Sequence, residues 1–268
     1  MMNEYLLYYI PFLYFYKTRL KSFLKFISWV CIYVFPIFLF VVFFQKNTFN
    51  PEDIIIILLS MILVYVLYEI GYIFNDTETI RKEVNPTLRL NKKQFDFYYA
   101  NKVTIYIFRF VIALSLSVEL AFLEIPLFNS LLPWAIVLVY MLYNYFRSRV
   151  NLLLHFILVT LRYSLPILMV TGVKIEVVLY IMLVFPVVNL IERCGEKRFN
   201  IDFFSKKMCT DHNMLRIKYY LILLIICVPI SVIINSPDFI ALIITLLYFF
   251  FYRTLSYVFI IKGKRSEL

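Results

Sequence analysis

The chain has 268 residues, of which 63% are hydrophobic and 16% charged, and its mean hydropathy is +0.83. Ordinary soluble domains carry roughly 25% charged residues, so a water-soluble fold is excluded; the length leaves room for about eight helices of roughly 20 residues and no separate soluble domain. The formal charge of +10 sits at predicted helix ends rather than in a soluble stripe, which points to topology and anionic lipid head groups and away from nucleic acid.

Strand-like alternation is absent and the apolar runs are too long for strands, so helices must satisfy the backbone in lipid. The expected fold is all-α: a single polytopic transmembrane bundle over 1–268 with about eight spans. In chain order, residues 4–24 mix aromatics with Lys17, Arg19 and Lys21, the pattern of an amphipathic helix lying in the membrane interface. No short apolar run with a small-residue cleavage site precedes it, so no signal peptide is expected. Spans are predicted at 26–45, 53–74, 98–118, 126–145, 151–172, 176–193, 215–235 and 238–261, with Glu124 through Pro133 partly loop.

Sorting the 27 Lys and Arg on this count puts all on one side except Lys46, Lys174 and the mid-span Arg109 and Arg162. Positive residues favour the cytoplasm, so both termini and the loops at 75–97 and 194–214 are expected inside, in a multi-pass protein of the plasma membrane. Arg109 and Arg162 each need a partner or a wet cavity, and Glu69 is the candidate partner. Cys31, Cys194, Cys209 and Cys227 lack framework spacing, so no structural disulfide is expected, and one His among scattered thiols does not make a zinc site.

Carboxylates collect in the two long inner loops. In the first, GYIFNDTETIRKEVNPTLRL, continued helix places Asp76, Thr79 and Glu83 on one face, with Glu78 flanking it and Asn85-Pro86 as a stop. In the second, VVNLIERCGEKRFNIDFF, Asn189, Glu192 and Glu196 repeat the same spacing. Oxygen-rich faces suit Mg²⁺, a hard ion that shares its ligand sites with phosphates, and Arg81, Lys82, Arg89, Arg147, Arg149, Arg193, Lys197 and Arg198 supply charge for the same phosphates.

Asn75-Asp76 with Glu83, Asn85-Pro86 and Arg89 resembles the first aspartate-rich motif of the UbiA superfamily of intramembrane prenyltransferases. Tyr143 with Arg147 and Arg149 resembles that family's loop after the fourth span, and Asn189, Glu192 and Glu196 stand in the place of its second acidic motif. Thr79, Glu83, Asn189 and the two later glutamates replace the aspartates usual there, and the family's ninth span is missing. The resemblance implies a Mg²⁺-dependent transferase moving a prenyl or related group from a diphosphate donor to a membrane-embedded lipid or aromatic acceptor. Asp76, Glu83, Asn189, Glu192 and Glu196 would hold the metal, with Asp76, Glu192 and Tyr143 catalytic. Asn75, Arg81, Arg89, Arg147, Arg149, Arg193 and Lys197 would hold the isoprenoid diphosphate or polyprenyl phosphate, and Arg162 is a further anion-binding candidate. The alternatives are phosphoribosyl transfer to a polyprenyl phosphate and a non-catalytic lipid-binding or transport component.

Overall fold

The computed structural model describes residues 4–45, 49–82, 87–146, 148–196, 199, 201–234 and 236–266. Among these there are helices and turns and no strand. In chain order come α1 Phe23–Gln45, α2 Pro51–Thr77, α3 Lys92–Phe122, α4 Leu127–Tyr145, α5 Val150–Thr171, α6 Ile175–Val184, α7 Pro186–Cys194, α8 His212–Ile233 and α9 Pro237–Ser266. Seven of them are long and apolar enough to cross a membrane, and α6 with α7, bent by 46°, forms a broken span or a re-entrant loop, for seven to eight spans among the described residues. The chain is therefore a multi-pass helical membrane bundle. The loops after α2, α4 and α7 gather at one end, where Arg149 donates to the Phe199 carbonyl at 3.2 Å and Arg193 reaches Tyr143. This is called the motif end below.

The expected single span at 176–193 is broken. Phe185 precedes Pro186 and leaves helical geometry (φ −138°), because a proline ring crowds the residue before it and has no N–H to continue the ladder. Carbonyls freed at such breaks must find donors inside a membrane, and here tyrosines of neighbouring helices supply them. Tyr219 and Tyr220 of α8 donate to the carbonyls of Leu183 and Val184 at 2.6 and 2.9 Å. Pro166 of α5 leaves the Arg162 carbonyl to Tyr33 (3.0 Å), and Pro36 of α1 leaves the Ile32 carbonyl to Tyr163 (2.9 Å). Four of the 22 tyrosines thus serve as donors to carbonyls at helix breaks.

The largest correction concerns residues 4–24. The expected single helix is instead broken into short helical pieces at Glu4–Tyr8, Leu13–Phe15 and Tyr16–Leu20, and Leu7, Tyr8, Tyr14, Phe15, Thr18 and Leu20 are buried in the bundle. Pro11 interrupts helix, and Phe12 takes a left-handed conformation (φ 70°) that a non-glycine residue adopts only when held there. Glu69 of α2 does the holding, accepting from the N–H groups of Phe12 and Phe15 at 3.0 and 2.6 Å, so that it caps this arm from another helix. Arg109 of α3 completes the joint with an ion pair to Glu69 at 2.6 Å and bonds to the carbonyls of Tyr8 and Leu7. Both side chains have no exposed surface. The expected pairing of a mid-span arginine with Glu69 holds for Arg109 and not for Arg162.

Candidate functional site at the motif end

Helix α2 stops at Thr77, and a 3₁₀ turn, Thr79–Lys82, follows. The helical face expected to run from Asp76 to Glu83 therefore ends almost as it begins, and Glu83 lies outside the described residues. Thr79 folds back on Asn75, bonding to its carbonyl at 2.9 Å and to its side-chain oxygen at 3.0 Å. Asn75 in turn donates to Asp76 at 3.3 Å. Glu78 points elsewhere, to Lys102 at 2.6 Å and Tyr98 at 3.0 Å. Arg81 stacks over Tyr99, 4.4 Å from the ring centre, and takes no part in the acidic face.

Asp76 is buried, and both of its oxygens are engaged. Tyr14 donates to it at 3.0 Å, Arg19 at 3.0 Å and Arg89 at 3.1 Å. Two guanidiniums thus answer one carboxylate, and the cluster keeps a net positive charge. Two of these partners, Tyr14 and Arg19, belong to the N-terminal arm and were missed in the sequence. The available signal was Arg19 itself, a cation among aromatics eight residues after Pro11, where a surface helix cannot continue.

The second motif is paired in the same way. Glu192 on α7 meets the Arg216 guanidinium of α8 through both oxygens, one contact at 3.0 Å and the other to Nε. Asn189 faces His155 at 2.8 Å. Glu196 falls beyond the helix end, 3.9 Å from Arg193. Arg193 contacts the Tyr143 hydroxyl at 3.4 Å, and Tyr143 packs beside His155. Arg149 holds the loop at Phe199. Arg147 and Lys197 lie outside the described residues.

Aromatic contacts join the two motifs. Arg19 lies over Tyr72 at 4.5 Å, Tyr72 meets Tyr140 at 5.7 Å between ring centres, and Tyr140 meets Tyr143 at 5.7 Å. Gly71 lets Tyr140 pack directly on the α2 backbone, and Asn144 donates to the Gly71 carbonyl at 3.4 Å. Beside this row an apolar groove of about 850 Å³ runs between α2, α3 and α4, lined by Phe74, Phe110, Leu138 and Met141 with Glu78 and Thr79 at its motif end.

The described residues do not bring the expected Mg²⁺ ligands together, and one of those ligands, Glu83, lies outside them. Among the described residues no three His, Cys, Asp or Glu side chains come together as a metal-binding group. Asp76 and Glu192 have given their oxygens to arginines, and a metal would have to displace guanidiniums that already balance each carboxylate. The motif end thus holds a cluster of two guanidiniums on one buried carboxylate, a chemistry suited to an anionic group, and an apolar groove whose one charged lining residue is Glu78.

Arg162 stands apart from both motifs. Among the described residues no carboxylate pairs with it and its Nε has no hydrogen-bond partner. Tyr68, Tyr163 and Tyr33 surround it at 5.5, 5.6 and 5.8 Å. A central arginine costs about 2.5 to 3.5 kcal/mol even on a lenient insertion scale, and desolvated cation–π contacts of about 2 kcal/mol offset part of that. Arg253 of α9, expected with the charges of the C-terminal end, is instead buried, lies over Tyr252, and also has an unpartnered Nε.

No family model, no curated protein and no solved structure matches this chain.

Proposed function

We propose that the chain binds the phosphorylated head group of an isoprenoid lipid at the motif end, with the lipid chain along the groove between α2, α3 and α4. The observation that carries this reading is the cluster at Asp76, where Arg19 and Arg89 share one buried carboxylate. A phosphate or diphosphate brings the negative charge that this cluster lacks, and guanidiniums bind phosphate through paired N–H donors. Prenyl or phosphoribosyl transfer through Mg²⁺, the activity implied by the UbiA-like motifs, is the second reading. It is favoured by the aromatic row that links the two motifs, and it requires Asp76 and Glu192 to leave their arginines. Mass spectrometry of lipids co-purified with the native chain tests the proposal. A retained polyprenyl phosphate or diphosphate, depleted in Arg89→Gln, is the expected result; its absence from the unaltered protein sinks the reading.

Asp76→Asn separates the two readings. It keeps the shape and removes the charge, so two guanidiniums lose their counter-ion and the apo protein loses about 3 kcal/mol. If arginines bind the phosphate, farnesyl phosphate then replaces the missing charge and raises the melting temperature of this variant by more than that of the unaltered chain. A metal-ligand role predicts the reverse, a variant that responds less, with recovery in excess Mg²⁺.

The motif end is proposed to face the cytoplasm, since it collects nearly all the Lys and Arg. Native thiols report this poorly: burial, and then the Glu192 charge, push the Cys209 thiol above its ordinary range, leaving little of the reactive thiolate. Exposed positions serve better. In a background without the four native cysteines, Val173→Cys is expected to label from outside intact cells and Asp202→Cys only after permeabilisation. The opposite pattern inverts the topology and removes access to cytoplasmic phosphates.

A further inference from the structure

A second cavity, of about 280 Å³, shares no lining residue with the groove and is lined by Lys25, Ser28, Trp29, Tyr33, Arg162 and Phe185 among others. Lys25 belongs to the first turn of α1, and Tyr33 is eight residues further along. At 1.5 Å per residue the cavity therefore reaches about 12 Å along α1 from the motif end towards the level of Arg162. We infer that this cavity is a second phosphate site, with Lys25 at its mouth and Arg162 inside, and that it takes the phosphate monoester of a lipid whose first carbons pack on Trp29, Tyr33 and Phe185.

Three observations support this site, and none of them involves the Asp76 cluster. Among the described residues Arg162 has no carboxylate partner, and its buried Nε has no hydrogen-bond partner. The hydroxyls of Tyr33 and Tyr163 are turned to the carbonyls of Arg162 and Ile32, so these rings offer the cation their faces while their donors are already used. Trp29 likewise spends its N–H on the Tyr65 hydroxyl at 2.6 Å. The walls are therefore apolar towards a ligand, and the free polar capacity of the cavity is concentrated on the guanidinium, with the Lys25 ammonium at the entrance. A planar fork inside and a point charge at the mouth suit an oxyanion of charge greater than one, and aromatic walls suit the hydrocarbon behind it.

The chain has two tryptophans, Trp29 and Trp134. Trp134 bonds to Ser117 on α3, away from this cavity, so Trp134→Phe leaves Trp29 as a fluorescent reporter of the cavity wall. With this variant in detergent, farnesyl phosphate should change Trp29 emission saturably, while farnesol at the same concentration should not. Arg162→Gln should weaken the apparent affinity by about tenfold or more, and Arg162→Lys, which keeps the charge but loses the fork, by less. The exposed Lys25→Ala is expected to fold normally and to weaken binding a few-fold, mainly at low salt, which covers the case in which Arg162→Gln does not fold. Inorganic phosphate that saturates the response with the same dependence on Arg162 identifies a free-phosphate site; competition without saturation identifies the lipid. An equal response to farnesol overturns the proposal, as does unchanged affinity in Arg162→Lys together with Lys25→Ala. Arg89→Gln tells the two sites apart: it should leave the Trp29 response intact, and its loss there, with Arg162 variants unaffected, assigns all binding to the Asp76 cluster.

Discussion

Glu69→Ala is expected to lower the stability of the bundle by about 3 to 5 kcal/mol, the range for removing one partner of a buried ion pair. The reason is that one carboxylate serves two structures. It neutralises Arg109, which has no exposed surface, and it accepts the N–H groups of Phe12 and Phe15 that start the inward turn of the arm. Thermal unfolding in detergent should show the loss, and limited proteolysis should show new cleavage before residue 20. Glu69→Gln keeps an acceptor for the arm and should fall between. Replacing both Glu69 and Arg109 by leucine should cost less than the sum of the single changes, because no charge is left stranded. A single Glu69→Ala variant that melts within about 0.5 kcal/mol of the parent rules out this joint as the anchor of the arm.

Gly71→Ala should also have a large effect, although it adds a single methyl group. A Cβ at Gly71 would fall inside the Tyr140 ring, whose place is fixed by Tyr68, Tyr72 and Tyr143 around it. Overpacking of this kind costs about 1 to 3 kcal/mol and more where the ring cannot turn aside. The displacement also passes along the aromatic row to Tyr143 and Arg193, so binding of phosphorylated lipid should weaken along with stability. Tyr140→Ala in the Gly71→Ala background should recover part of the loss that either change causes alone. Two losses that simply add would show that the glycine is unrelated to the ring.

The spans were legible because each needs about 20 apolar residues, and that signal survives bends, caps and irregular turns. The break at Phe185-Pro186 was not read, since hydropathy averages over a kink that one ring imposes. Glu69 could be named as the partner of a mid-span arginine from cost alone, because a buried charge without a counter-charge is expensive. Which arginine it met depended on how α2 and α3 face each other, which periodicity does not report. The arm was misread for a related reason: aromatics interleaved with cations suit a membrane interface and also suit packing against the buried carboxylates Glu69 and Asp76. The position of Asp76 was legible as the acid at the motif end of α2. Its partners were not, because Arg19 lies 57 residues before it. The matched acidic spacing depended on helix continuing past Thr77 and Cys194, and the structure ends both helices there.

The inward arm also bears on how the protein is made. Its residues leave the ribosome before the groups that hold it: Glu69, Asp76 and Arg109 follow 54 to 102 residues later. While α2 enters the bilayer alone, Glu69 has neither Arg109 nor a seated arm to share its charge. Insertion of α2 and α3 together as a hairpin lets the two charges cross the lipid as a neutral pair, at much lower cost than two separate ions. The arm can be seated only after that hairpin is in place, so a segment made before α2 and α3 is assembled after them.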